Sequence, residues 1–287
     1  MTYKQLQLQA DEIRQDIIKM LVEAGSGHAA GPLGLADIFT ALYFEIMNHR
    51  PRQPDWPDRD RLILSNGHTV PVRYATMARA GYFPVAELAT LRKFGSRLQG
   101  HPERVRLPGL ETTSGPLGEG LSQAAGMALA LRMDGRTSRV YCITGDGELD
   151  EGNIWEAAMF APNKKLNNLT VIVDRNNIQI DGPTERVMPL GDVAAKWAAF
   201  GWHVIEIDGH NFEAIIAACN LAKAVVERPT VIIAHTIPGK GVDFMQYDYH
   251  WHGYFMDVPG APPAKDQARV ALHELRTLAG RIRSEHE

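Results

Sequence analysis

Gly145-Asp146-Gly147 is the triplet in this chain whose residue types and position most directly suggest chemistry. It follows the apolar run VYCIT from Val140 and precedes the helical pattern NIWEAAMF. In open α/β sheets ligands gather at the carboxyl ends of strands. The two glycines permit a tight turn and close approach of a ligand to the backbone, and Asp146 supplies a hard carboxylate suited to Mg²⁺ or Ca²⁺. A diphosphate can then rest on helix N-terminal amides. Asn176, 30 residues beyond Asp146, ends the next apolar run, LTVIVD from Leu169. One βαβ unit has that length, and neighbouring parallel strands lie about 4.8 Å apart, so both side chains can share one cation. Each motif alone also suits an ordinary turn; their paired placement is what points to a site.

Four histidines stand beside glycine in segments that read as loops: His28 in GSGHAAGPLG, His68 in LSNGHT, His101 in QGHPE and His252 in YHWHG. Imidazole donates or accepts near neutral pH and can move protons in both directions of a reversible reaction. Between them, the glycine-rich stretch TTSGPLGEG enters a helix of small residues, LSQAAGMALAL, and suits contact with a planar ring. Glu151 reads locally as a helix N-terminal carboxylate complementing the macrodipole.

The elements that must carry these residues follow from periodicity. Leu62 to Ser65, VYCIT, LTVIVD, His203 to Ile207 and TVIIAHT from Thr230 predict strands, and the three longest lack polar alternation, as expected for strands buried on both faces. Helical patterns run from Gln5 to Ala24, Leu33 to Met47, Leu121 to Arg132, Ile154 to Ala161, Val193 to Phe200 and Phe212 to Glu227. This alternation predicts an α/β fold, doubly wound, with a mostly parallel sheet and helices on both faces. One domain is expected over residues 1–256, then a linker and a charged helix over 257–287.

Composition narrows the classes. With 287 residues, 45% of them apolar, the chain can bury a large core. A net charge of −4 offers no electrostatic footprint for nucleic acid or an anionic membrane. Cys142 and Cys219 are too few for a disulfide framework and lie in apolar stretches. There is no apolar leader and no run long enough for a membrane span, so a cytoplasmic protein is expected.

GDG followed 30 residues later by a paired Asn resembles the thiamine diphosphate signature of the transketolase and decarboxylase superfamily. The four histidine contexts, TTSGPLGEG, and IPGKGV with the later WHG narrow the resemblance to transketolases, from His28 to Gly253. The resemblance implies a thiamine diphosphate-binding fold, with Asp146, Asn176 and the main-chain carbonyl of Ile178 as ligands of Mg²⁺ or Ca²⁺. It implies cofactor contacts at His68, Gly115, Leu117, Gly118, Gly145, Asp146, Gly147, Asn176 and His252. It makes His28, His68, His101 and His252 the groups that handle sugar hydroxyls and protons, and Glu151 a link between paired active sites.

The chain departs from the family pattern at Ala29, where proline is usual, at Ser114, where threonine is common, and at Glu119, where glutamine is common. The larger departure is that a complete transketolase continues into a pyrimidine-binding domain carrying the glutamate that activates the cofactor. The expectation is therefore one subunit of a split transketolase of the pentose phosphate type. It would transfer a two-carbon ketol unit between sugar phosphates together with a separate C-terminal, pyrimidine-binding subunit, in a heterotetramer. Alternatives are half of a deoxyxylulose-phosphate synthase or 2-oxo-acid dehydrogenase, or a non-catalytic thiamine diphosphate-binding regulator.

Overall fold

The computed structural model describes the backbone at residues 1–253, 261–262 and 264–285, and the side chains of those residues except 264–265 and 278–285. Five strands, β1 (Arg61–Leu64), β2 (Val140–Gly145), β3 (Leu169–Arg175), β4 (His203–Asp208) and β5 (Thr230–His235), form one sheet. The order is β1-β2-β3-β5-β4 and every pairing is parallel. The α-helices of five or more residues are α1 (Tyr3–Ala24), α2 (Ala30–Gly34), α3 (Ala36–Ala41), α4 (Val70–Arg79), α5 (Glu119–Met133), α6 (Gly152–Asn163), α7 (Val193–Ala199), α8 (Phe212–Ala224) and α9 (Ala264–Glu285).

The missing polar alternation in β2, β3 and β5 has its explanation in two separate cores. Tyr141, Ile143, Ile172 and Ile232 pack on one face with α1, α3, α4 and α8. Cys142, Val171, Val173 and Ile233 pack on the other with α5, α6 and α7. Successive residues of a strand point to opposite faces, so a sheet covered on both sides needs apolar residues at every position. Edge strand β4 is only partly buried. Both cysteines are buried and free.

Two stretches differ from the expected pattern. Leu33 to Met47 is not one helix but α2, α3 and a π-helical turn at Leu42–Ile46. The whole stretch from Ala30 to Leu42 is buried, so apolar content continues across the break without marking it. Helix α4 is an element beyond the expected ones: residues Val70 to Ala78 are all buried, polar Arg73 and Thr76 among them, so its buried positions are not marked by apolar residues alone. The C-terminal helix, expected within 257–287, runs from Ala264 to Glu285, and its Ala271 and Leu275 join the core beside α1. The expected linker over 257–266 falls largely outside the described residues.

Candidate active site

Sheet register places the carboxyl ends of β2 and β3 side by side, with Gly145 opposite Asp174. A cleft opens there, lined among others by His68, Leu117, Asp146, Asn176, Ile178 and His252. Asp146 is 1% exposed. Its Oδ1 accepts from the Gly147 N–H at 2.8 Å, and its Oδ2 accepts from the Asn177 N–H at 2.6 Å and from Arg175 Nη1 at 3.1 Å. Asn176 turns its amide nitrogen to Asp174 Oδ2 at 2.9 Å, while its Oδ1 accepts from the Ile178 N–H at 3.0 Å. Asn177 takes the left-handed conformation, φ 64°, which asparagine tolerates and which turns the chain sharply behind Asn176.

Burial pushes the Asp146 carboxyl up to about 6, and burial together with the neighbouring Asp146 pushes the Asp174 carboxyl up to about 7. Asp146 meets one guanidinium, Arg175, which is itself shared with Glu185 at 2.7 Å, while the adjacent buried Asp174 accepts from the neutral Asn176 and Thr236. This surplus of negative charge among oxygen donors fits a divalent cation, and the cation in turn would offset the charge of a diphosphate.

The structure brings the four sequence-predicted histidines into one cluster. Ring centroids are 5.0 Å apart for His28 and His68, 4.9 Å for His68 and His252, 6.1 Å for His28 and His252, and 6.4 Å for His28 and His101. His68 and His252 line the cleft itself. His28 stands next in line, its Nδ1 buried with no hydrogen-bond partner among the described residues, and His101 lies at the exposed end. The loops meet through backbone contacts: the Gly239 N–H donates to the Ala30 carbonyl at 2.9 Å, and the Ile237 N–H to His210 Nε2 at 2.8 Å. His210 is held by Asp37, which is paired with buried Arg14 at 2.5 Å. A buried ion network thereby fixes the loop leading to His252 against the segment that carries His28.

Burial, with mutual repulsion, holds His28 down at about 3, His68 well below its usual value, and His252 at about 4, so all three are neutral at pH 7. Because the folded His28 is depressed, the unfolded chain takes up a proton near pH 6.5 that the folded chain refuses, and stability falls as pH drops from 6.5 toward 3. Asp146 and Asp174 titrate in the opposite sense over an overlapping range, so the signature is a difference. Relative to His28→Asn, the wild-type chain should lose about 1.4 kcal/mol per pH unit below pH 6, read from urea unfolding between pH 7.5 and 4.5. A pH-independent difference would mean that His28 is not buried as described.

Gly115, Leu117 and Gly118 lie in the loop before α5. Gly118 has φ 87°, and a Cβ there would come within 2.8 Å of Glu151 Cβ, so only glycine fits. Gly67, next to His68, is similarly constrained: a Cβ would lie 2.3 Å from Ser114 Oγ. Glu151 caps α6 by position without a side-chain cap bond, is exposed, and lies beside Gly118 rather than among the cleft-lining residues.

Sequence reasoning missed Glu148. It is 2% exposed and accepts from the Ser65 hydroxyl, from the Gly118 N–H at 2.7 Å and from the Gly145 N–H at 3.0 Å. One carboxylate thus ties the end of β1, the loop before α5 and the end of β2 together. The only signal in the sequence was an acidic residue directly after GDG, indistinguishable there from a helix N-terminal carboxylate. Asp174, which orients Asn176 and accepts from the Thr236 hydroxyl, was also missed as a site residue.

Residues 6–267 match the family described as "Transketolase, thiamine diphosphate binding domain". The fold is thus that of a thiamine diphosphate-binding domain. The chain belongs to the transketolase family. It is 46% identical over 241 residues to the 6-deoxy-6-sulfo-D-fructose transketolase subunit SqwG of Clostridium sp. (strain MSTE9), covering 84% of this chain and 88% of that one. It is 39% identical over 278 residues to an apulose-4-phosphate transketolase subunit of Phocaeicola vulgatus, covering 97% and 98%. Among solved structures, transketolase from Leishmania mexicana superposes with a TM-score of 0.84 at 32% identity, covering 98% of this chain and 45% of that one. The chain therefore spans less than half the length of that solved transketolase.

Proposed function

We propose that this chain is the diphosphate-binding subunit of a transketolase that moves a two-carbon ketol unit from a ketose phosphate to an aldose phosphate. A separate pyrimidine-binding subunit completes the active site, in a cytoplasmic two-plus-two heterotetramer. The observation that carries this reading is the continuity of the four-histidine cluster with the cleft holding Asp146 and Asn176. Relatives of nearly the same length whose names contain "subunit" support the division of labour.

Asp146, Asn176 and the carbonyl of Ile178 would hold Mg²⁺ (or Ca²⁺), with Gly145 and Gly147 admitting the diphosphate. When bound, thiamine diphosphate supplies the electron sink for carbon–carbon cleavage. The chain's own residues orient the sugar and handle its protons. A neutral imidazole offers one donor and one acceptor, so His28, His68 and His252 can each hold a hydroxyl and accept its proton without first losing one. His101, at the exposed end, is placed for the part of the sugar farthest from the cofactor. Among the described residues no helix is long and apolar enough to cross a membrane.

Mixing the chain with the candidate partner subunit, thiamine diphosphate and Mg²⁺ should give two-carbon transfer from xylulose 5-phosphate to ribose 5-phosphate, while each polypeptide alone should give none. A mixture that binds the cofactor yet transfers nothing would remove this reading for these sugars, and activity of the chain by itself would remove the split.

A further inference from the structure

Residues 102–114 leave the histidine cluster after His101 and return beside it at Gly115, where a Cβ would lie 3.8 Å from His101 Cδ2. The Ser114 N–H, donating to the Pro102 carbonyl at 3.1 Å, closes the base of this excursion. Its far part, Pro108 to Glu111, forms one wall of a second recess, which also takes in Arg59, Arg61 and Arg104. Met127 and Leu131 of α5, with Leu110, make an apolar wall. None of the residues lining this recess lines the cleft at Asp146.

The charges around the recess do not balance. Glu111, 7% exposed, serves two guanidiniums: it accepts from both Nη atoms of Arg59, Nη2 at 2.7 Å, and stands 3.8 Å from Arg61 Nε. Arg59 Nε is buried without a hydrogen-bond partner among the described residues. Arg61 otherwise donates only to the carbonyls of Arg59 and Pro57, and partial burial, then the neighbouring Arg59, work against its charge. Arg104 is exposed and, like Asp55 at the rim, forms no ion pair among the described residues. Asp60 is already engaged by the N–H groups of Asn48 and Arg139, at 2.8 and 2.7 Å.

Arg73 of α4 lies behind Gly109, a residue of the wall, and is 1% exposed. Its Nη2 donates to the Gly109 carbonyl at 3.2 Å, while Nε and Nη1 have no hydrogen-bond partner and no carboxylate pairs with it among the described residues. A buried cation without a counter-charge is costly. Four guanidiniums thus gather here with two carboxylates, Glu111 and Asp55. A phosphate monoester carries close to two negative charges and three acceptor oxygens, which offsets that excess, and a guanidinium fork matches its geometry. The apolar wall suits the organic body of such a ligand.

We propose that this recess is a second ligand site, separate from the cleft at Asp146, that takes a small phosphate monoester with an apolar body. It stands independently of the transketolase reading. Met127 provides a local probe, because it lies in the recess wall and no methionine lines the cleft. The full chain, carrying ¹³C-labelled methionine methyl groups, is titrated with inorganic phosphate, phenyl phosphate and benzoate, and the Met127 resonance is assigned through Met127→Leu. Phenyl phosphate should shift that resonance saturably, with a Kd roughly 10-fold below that of inorganic phosphate because its ring is buried on the apolar wall. Arg104→Ala, a change at an exposed position, should weaken phenyl phosphate about 10-fold, and Arg61→Gln by at least as much. Absence of a saturable shift with either phosphate, or equal affinity in wild type and Arg104→Ala, would overturn the proposal. So would benzoate binding as tightly as phenyl phosphate, since the recess would then select an apolar ring and not a dianion.

Discussion

Asp146→Ala should abolish the thermal stabilisation that thiamine diphosphate and Mg²⁺ together confer on the chain in the presence of its partner. A ligand at 100 times its Kd stabilises by about 2.7 kcal/mol, which for a domain of this size is roughly 5–10 °C in melting temperature. The expected shift in the variant is close to zero. Even residues that merely orient metal ligands change affinity by about 10–100-fold, so loss of a ligand carboxylate should exceed that, with transfer activity falling at least in proportion. The alanine removes the acceptor for two backbone N–H groups and for Arg175, which keeps Thr184 Oγ1 at 3.1 Å and Glu185. Asp146→Asn retains side-chain shape but not charge and should fall between the two. A variant melting curve that still rises by about 5 °C or more with cofactor and metal would take Asp146 out of the site.

Glu148→Ala is the larger effect on the fold. It leaves the Ser65 hydroxyl and the N–H groups of Gly118 and Gly145 buried without their acceptor. Each unsatisfied buried donor costs about 1–3 kcal/mol and the three share one site, so a loss on the order of 3–5 kcal/mol is expected in urea unfolding. Glu148→Gln keeps one acceptor oxygen and should lose roughly half as much. The effect extends to function, because the three segments it joins carry Leu117, His68 and Asp146. Cofactor affinity should drop even at temperatures where Glu148→Gln stays folded. A loss below about 1 kcal/mol for the alanine variant would mean that the segments are held together by packing alone.

Much of this molecule is written locally. Apolar runs without alternation announced buried parallel strands, and Asp146 and Asn176 could be placed on neighbouring strand ends from spacing alone. Both are consequences of short-range rules: strand periodicity, turn chemistry and the length of a βαβ unit. Helix α4 was not legible in this way, since its buried positions include Arg73 and Thr76, polar residues that do not announce burial.

Partnerships across the chain were decided only by the tertiary structure. His28, His68, His101 and His252 come from four distant loops, and their residue types suggested a role but not that their rings would lie 4.9 to 6.4 Å from one another. Glu148 looked like any acidic residue at a helix start until the sheet order β1-β2-β3 brought Ser65, Gly118 and Gly145 within its reach. Local sequence fixes the conformation of each segment, whereas the partner of a buried charge depends on which segments the crossovers of the sheet set side by side.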